Sequence, residues 1–376
     1  MTSHQEIVRT AEMVGDGHPD KFCDQVADSI LTESVRRDPQ SRVAIECLAK
    51  NSLLVVSGEL TTRADLAAPD VDGIEGIARR VWQSVGYGDG HELTVINYVQ
   101  RQSSEIAVGV DTGGAGDQGI MVGYATSETP EYLPLEYTLA RALAKALRDA
   151  RLSGSIPWLR SDNKTQVTLA GRTVRSVVVA AQHDASVLDR ARNALQEEAR
   201  ETLVSRIIMP VIGPYVDGAP PRITINGTGP FVIGGPHGDA GVVGRKTVVD
   251  AYGPSVPVGG GAYSGKDATK VDRSAAYMAR HIAKTIVAHR IGNARAATVH
   301  LAYAIGQTQP EGISAVTACG KDLSSWVREW FPDLSPAAII ERLQLRTQNT
   351  WTYLQTASLG HYGRESFPWE AIAPLT

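Results

Sequence analysis

Apolar residues recur at helical spacing between Pro19 and Arg37, where Val26, Ala27, Ile30, Leu31 and Val35 fall on one face. The spacing predicts a helix. Two β-rich runs follow, Arg42 to Cys47 and Leu53 to Leu60, and then a second helical stretch from Ile74 to Val85. The middle of the chain repeats this order: a helix over Leu135 to Arg151, strands over Gln166 to Leu169 and Thr173 to Gln182, and a helix over Ala185 to Ile208. The last third repeats it again, with a helix over Arg273 to His289, strands over Thr298 to Ile305 and Gly312 to Ala318, and a helix over Pro336 to Leu345. Gly116-Asp117-Gln118-Gly119 precedes the second repeat, and Gly238-Asp239-Ala240-Gly241 precedes the third. Successive parallel strands need a long crossover between them. Hairpin-like strand pairs between helices therefore predict antiparallel or mixed sheets with helices on one face. The expected fold class is α+β, in three similar domains over residues 1–103, 110–228 and 230–376.

With 376 residues and 43% hydrophobic content, the chain can bury a substantial core. Lys plus Arg number 37 against 41 Asp plus Glu, a net charge of -4 that gives no global attraction to nucleic acid or anionic membrane. Any anion site must come from a local cluster. Three cysteines, Cys23, Cys47 and Cys319, share no C-x-x-C spacing, which disfavours a disulfide scaffold or a cysteine zinc site and suits a reducing compartment. The first residues, MTSHQEIVRT, lack the apolar stretch of a signal peptide. No run approaches the roughly 20 apolar residues of a membrane span. A cytoplasmic, soluble protein with no nucleic-acid or membrane partner is expected.

Two stretches carry candidate chemistry. Gly17-His18-Pro19-Asp20-Lys21 sits where a loop enters a helix, with Pro19 suited to the first helical position. A helix N-terminus attracts phosphate, His18 can donate to a leaving-group oxygen, and Asp20 can hold a hard cation such as Mg²⁺. The plainer alternative leaves Asp20 complementing the helix dipole and His18 a loop histidine. The second stretch runs from Asp239 to Arg273. It sets Arg245, Lys246, Lys266, Lys270 and Arg273 beside acids and a glycine-rich loop, a pattern that suits polyphosphate and metal. Its plainer alternative is a solvated helix end. Gly260 to Lys266 fits the first seven positions of a P-loop, but Asp267 stands where a Ser or Thr hydroxyl is required, so that reading is rejected. Gly234 to Gly241 likewise fails as a dinucleotide-binding fingerprint. Asp117, Asp162 with Lys164, Glu46 and Glu59 are further acids and cations of interest. Neither G-x-S-x-G nor H-E-x-x-H is present.

Long motifs decide between these readings. GHPDKFCDQVADSIL (Gly17 to Leu31), GAGDQGIMVGYATSET (Gly114 to Thr129), DNKTQVT (Asp162 to Thr168), FVIGGPHGDAG (Phe231 to Gly241), GGGAYSGKDATKVDRSAAYMARHIAK (Gly259 to Lys284) and GHYGRESFPWE (Gly360 to Glu370) resemble the S-adenosylmethionine synthetase (methionine adenosyltransferase) family, in family order and over nearly the whole chain. The resemblance implies three α+β domains about a pseudo-threefold axis. It implies the conversion of ATP, L-methionine and water to S-adenosylmethionine, phosphate and diphosphate, with two Mg²⁺ per site and K⁺. By motif, His18, Lys164, Arg245, Lys246 and Lys266 would be catalytic. These five, with Asp162, Phe231, Asp239 and Ala262, would line the ATP site. Glu59, Gln102, Asp239 and Lys270 would bind methionine, Asp20 and Asp272 would hold Mg²⁺, and Glu46 would sit at the K⁺ site. A homodimer or homotetramer with active sites at the subunit interface is implied.

Departures from the family pattern are also visible. Pro230 stands where an arginine is usual in N-P-T-G-R-F, removing a charge and an N–H. Ala240 replaces a frequent Cys, Val122 a frequent Phe, and Gly15-Asp16 a usual Ser-Glu. The stretch from Gln102 to Gly116, at the family's gating loop, is shorter than in the common bacterial form. The smaller side chains and short gate raise the expectation of a pocket relaxed toward methionine analogues. Pro230 raises that of a non-catalytic regulatory paralogue.

Overall fold

The structure, a computed structural model of the chain, describes residues 7–101 and 114–375. In chain order the strands and longer helices are β1 (Val8–Val14), α1 (Pro19–Arg37), β2 (Arg42–Lys50), β3 (Leu53–Thr61), α2 (Gly73–Val85), β4 (Thr94–Gln100), β5 (Gly119–Thr126), α3 (Leu135–Leu152), β6 (Leu159–Ala170), β7 (Thr173–His183), β8 (Leu188–Asp189), β9 (Ala194–Leu195), β10 (Arg222–Ile225), β11 (Gly241–Val242), α4 (Val271–Ala288), β12 (Ala296–Tyr303) and β13 (Gly312–Thr317). The three repeats are therefore α1-β2-β3, α3-β6-β7 and α4-β12-β13. In each, the strand pair is an antiparallel hairpin.

Each hairpin is completed by a strand from another third of the chain. The orders are β11-β2-β3-β4, β1-β6-β7-β10 and β13-β12-β5. The first third thus lends β1 to the second sheet, the second lends β5 to the third, and the third lends β11 to the first. This exchange is cyclic, as a threefold relation between the units requires. After the hairpin, two units return a strand parallel to its second member, β4 beside β3 and β10 beside β7. The mixed sheets and the α+β class agree with the sequence pattern. The glycine echo falls at equivalent places, since one copy runs into β5 at Gly119 and the other into β11 at Gly241.

The helices lie inside and the sheets outside. α1, α3 and α4 each pack across the first hairpin strand and the lent edge strand: α1 on β2 and β11, α3 on β6 and β1, α4 on β12 and β5. α4 is buried almost along its whole length, because the Pro336–Arg342 helix and the Pro368–Glu370 turn also pack on it. Close approach is bought by glycine: a Cβ on Gly123 of β5 would stand 2.0 Å from the Ala279 carbonyl carbon.

One expected helix is corrected. Residues 185–195 do not continue it; they form a short 3₁₀ turn and the β8-β9 hairpin, and the helix begins only at Glu197. The Asp189 side chain accepts from the backbone N–H of Ala191 and Arg192, a local turn that competes with helix. Asn193 completes the reversal in the left-handed region, at φ 50°.

Candidate active site

Helix α1 is the spine of the site. Pro19 fills its first turn, and the His18 ring caps it by accepting the Asp20 N–H at 3.2 Å through Nδ1. An Nδ1 that accepts leaves the proton of the neutral ring on Nε2. Burial, reinforced by the nearby Lys246 charge, pushes the His18 pKa down to about 4, so the ring is a neutral donor at pH 7.

Asp20, Asp24 and Asp28 follow at four-residue spacing on one face of α1, and all three are buried. Each accepts a backbone N–H from the glycine-rich loops of the last third: Val242 to Asp20 at 2.9 Å, Gly244 to Asp24 at 2.8 Å, Gly265 to Asp28 at 2.9 Å. This ladder places the Arg245–Lys246 and Gly259–Lys266 segments over the helix. Sequence reading missed Asp24 and Asp28, although the i, i+4, i+8 spacing of acids within a buried helix was a visible signal.

Cations meet the ladder at its open end. Lys246 Nζ lies 2.5 Å from Asp20 Oδ2, and the exposed Arg245 lies 3.9 Å from Oδ1. Burial alone would raise the Asp20 pKa; the Lys246 and Val242 donors outweigh it and hold it below the usual range. A second pair forms at the first turn of α4: Lys266 Nζ lies 2.6 Å from Asp272 Oδ2, both partly exposed. Gly261 hugs that carboxylate so closely that a Cβ there would stand 2.2 Å from Asp272 Oδ1. Asp267, which barred the P-loop reading, turns inward and accepts from Val43, Thr269 and Lys270.

A further group comes from β6 and the loop before β11. Asp162 is buried and accepts the Gly235 N–H at 2.7 Å; burial, only partly offset by that bond and by Lys164, raises its pKa to about 6. Lys164, two residues on, is exposed, lies 3.7 Å from Glu12 and contributes to the field at His18. Asp239 is exposed and close enough to act on the Asp162 charge. Phe231 is anchored by mutual hydrogen bonds with His183, at 3.1 and 2.9 Å. Ala262 packs against Gly244, where a Cβ would stand 2.5 Å from the Ala262 methyl.

The remaining predicted residues sit apart from this group. Lys270 is engaged by Asp267 at 2.6 Å rather than facing the lysine pairs. Glu46 of β2 lies within the field of Lys266, and burial raises its pKa. Glu59 of β3 shares a sheet face with Glu46, since it stands opposite Ala44 while Glu46 stands opposite Ser57. Among the described residues, no hydrogen bond or ion pair joins Glu59 to the lysines. The same face carries exposed Leu48, Leu53, Ile96 and Tyr98. Gln102 lies outside the described residues. Val122 is buried in β5 opposite His300.

Three family models match consecutive parts of the chain: the S-adenosylmethionine synthetase N-terminal domain over residues 6–104, the central domain over 112–231 and the C-terminal domain over 233–371. The chain belongs to the S-adenosylmethionine synthetase family. It is similar to the S-adenosylmethionine synthase of Chlorobium phaeobacteroides, at 42% identity over 96% of this chain and 94% of that one. The S-adenosylmethionine synthase of Deinococcus radiodurans gives the same identity and the same shares. Membership in the S-adenosylmethionine synthetase family brings a transferase activity, S-adenosylmethionine synthesis, in a family that uses divalent metal and monovalent cations. Neither shifted specificity nor a non-catalytic role gains support from these matches. No helix among the described residues is long and apolar enough to cross a membrane.

Proposed function

We propose that the chain transfers the adenosyl group of ATP to the sulfur of L-methionine, with the triphosphate leaving group held between the Lys246–Asp20 and Lys266–Asp272 pairs and cleaved to phosphate and diphosphate. The observation that carries the reading is the Lys246–Asp20 pair beside a neutral His18 donor, with a second partly exposed lysine–carboxylate pair at Lys266 and Asp272. A thioether needs no deprotonation before it attacks C5′ of ATP. The barrier lies in alignment and in the charge that develops on the departing triphosphate. Lys246, Lys266, Arg245 and Lys164 supply compensating positive charge, and the His18 Nε2–H is the donor suited to the oxygen of the breaking bond. Asp162, Phe231, Asp239 and Ala262 line the nucleotide side.

The donor chemistry suits Mg²⁺. No group of three His, Cys, Asp or Glu ligands occurs among the described residues, and a Mg²⁺ shared with phosphates needs only one or two carboxylates. Asp20 and Asp272 would each offer one, and the ions when bound would neutralise triphosphate charge. Glu46 is the carboxylate assigned to K⁺. Glu59, Gln102 and Lys270 are assigned to methionine. The apolar face bearing Leu48, Ile96 and Tyr98 beside Glu46 and Glu59 supports a homodimer or homotetramer in which a second copy covers that face and closes the site. A cytoplasmic location accords with the three free cysteines, two of them buried.

Mass spectrometry after incubating the pure protein with ATP, L-methionine, Mg²⁺ and K⁺ tests the reading. S-adenosylmethionine, phosphate and diphosphate in equal amounts are expected. ATP left intact, or hydrolysed without S-adenosylmethionine, would overturn it.

A further inference from the structure

Two buried charges have no part in the reading above. Lys21 is the neighbour of Asp20 on α1 and is wholly buried, and Asp250 is buried at the end of the short helix Thr247–Asp250. The Lys21 ammonium lies 2.6 Å from Asp250 Oδ1 and 2.9 Å from Asp24 Oδ2, the latter one turn further along α1. Taking charged groups out of water is costly, and pairing offsets that cost only in part. One pair would be enough to tie α1 to its neighbour. The second carboxylate calls for a further explanation.

The two carboxylates reach opposite ends of one segment. Asp24 Oδ1 accepts the Gly244 N–H at 2.8 Å, at the start of Gly244-Arg245-Lys246. Asp250 stands at the far end, and its own N–H donates to the Lys246 carbonyl at 2.8 Å. A single ammonium therefore bridges both ends of the 244–250 segment through two carboxylates. The far end is fixed from elsewhere as well. The Tyr137 hydroxyl donates to the Val249 carbonyl at 3.0 Å, and the His361 backbone N–H to the Asp250 carbonyl at 2.9 Å. Gly244 lies in the left-handed region at φ 75°, so the chain turns sharply just before the two cations. Between the fixed ends lies Lys246, whose Nζ reaches Asp20 and stays partly exposed.

We infer that Lys21 is a positioning residue for adenosyl transfer: with Asp24 and Asp250 it holds the segment that presents Lys246, and it acts on the leaving triphosphate through that lysine. The inference rests on the triphosphate role proposed for Lys246. Consecutive residues of α1 then divide the task, Asp20 meeting the Lys246 side chain and Lys21 fixing the main chain that carries it. A lysine ammonium sits on a flexible four-carbon stem, so its place depends on where its main chain is held. A shift of about 1 Å in such a group can cost about a hundredfold in rate.

A double-mutant cycle tests this. Asp250→Ala cuts one arm of the bridge and leaves Lys21 and Asp24 as a balanced pair, so the protein should fold, as its melting curve will check. In that variant kcat for S-adenosylmethionine formation should fall by about ten- to a hundredfold. The KM for methionine should change by less than about twofold, because the residues assigned to methionine are not part of the bridge. Asp250→Asn keeps an oxygen for the ammonium and should recover most of the loss. In a Lys246→Ala background, Asp250→Ala should lower kcat further by less than about threefold, since the group it positions is gone. If Asp250→Ala melts too low to assay, the uncharged Lys21→Met/Asp24→Asn/Asp250→Asn protein leaves no ion of the cluster unpaired and carries the same expectations through the cycle. Normal turnover in a bridge variant that merely melts lower would overturn the inference. So would a fall in kcat that is equally large with and without Lys246. Near-normal turnover in Lys246→Ala alone would instead contradict the triphosphate reading itself, so the two failures are told apart.

Discussion

Asp272 and Arg273 are neighbours in the chain, yet they belong to different kinds of ion pair. Arg273 is wholly buried, and each of its donor nitrogens is used: two bonds to Asp28 at 2.7 and 2.9 Å, and others to the Lys266 carbonyl, Thr356 and Tyr277. Among the described residues, Asp272 forms its one ion pair with Lys266, and about a fifth of each side chain is exposed. The first pair ties α4 to α1 and has no room for a ligand. The second can part, and its two groups are the ones suited to phosphate and to a cation. Position on the first turn of α4 decides which is which, since one side faces α1 and the next faces the glycine loop.

Breaking the closed pair should have the largest effect. Asp28→Ala would leave Arg273 charged, buried and uncompensated, and should cost about 3–5 kcal/mol in urea unfolding. A loss below about 1 kcal/mol would mean that the pair is not the lock described. Asp162 comes next. Its folded pKa of about 6 is raised from 3.8, so the stability it contributes is full below pH 3.8 and is lost as pH rises through about 6. Asp162→Asn mimics the neutral acid. Its stability relative to the unaltered protein should therefore improve between pH 4 and 7, by about 2–3 kcal/mol for a shift of this size. Melting both proteins across that range checks it, and a difference independent of pH would contradict it. The smallest effect belongs to Arg36, which meets Glu33 on the exposed side of α1. Arg36→Ala should change the unfolding free energy by less than about 0.5 kcal/mol, so a larger change in the same urea assay would show that exposure is a poor guide here.

The contrast also marks how far the sequence could be read. Helical and alternating patterns expose α1, α3, α4 and their hairpins, because each buries one face and the period records it. The exchange of β1, β5 and β11 was not legible: alternation tells which side of a strand is buried, not which strand lies beside it. Residues 185–195 read as helix because their composition permits it, while the Asp189 side-chain turn that overrides it is a matter of local hydrogen bonding. The charged run from Asp239 to Arg273 was recognisable as chemistry. Its division into structural members (Asp267, Arg273) and open ones (Lys246, Lys266, Asp272) was not, because that depends on α1 supplying Asp20, Asp24 and Asp28 from more than two hundred residues away. The motif resemblance identified the family, and geometry then separated charges that composition had grouped together.

The central claim is that the open pair serves the leaving group and not the fold. The most direct measurement is made on one variant, Lys266→Ala, comparing its S-adenosylmethionine formation under saturating ATP, methionine, Mg²⁺ and K⁺ with its urea unfolding. The predicted result is a fall of about 10²–10³ in kcat, the usual cost of losing one charge-stabilising donor, with unfolding changed by less than about 1 kcal/mol. Near-normal turnover would contradict the account, and so would a loss of activity that merely follows a loss of folded protein.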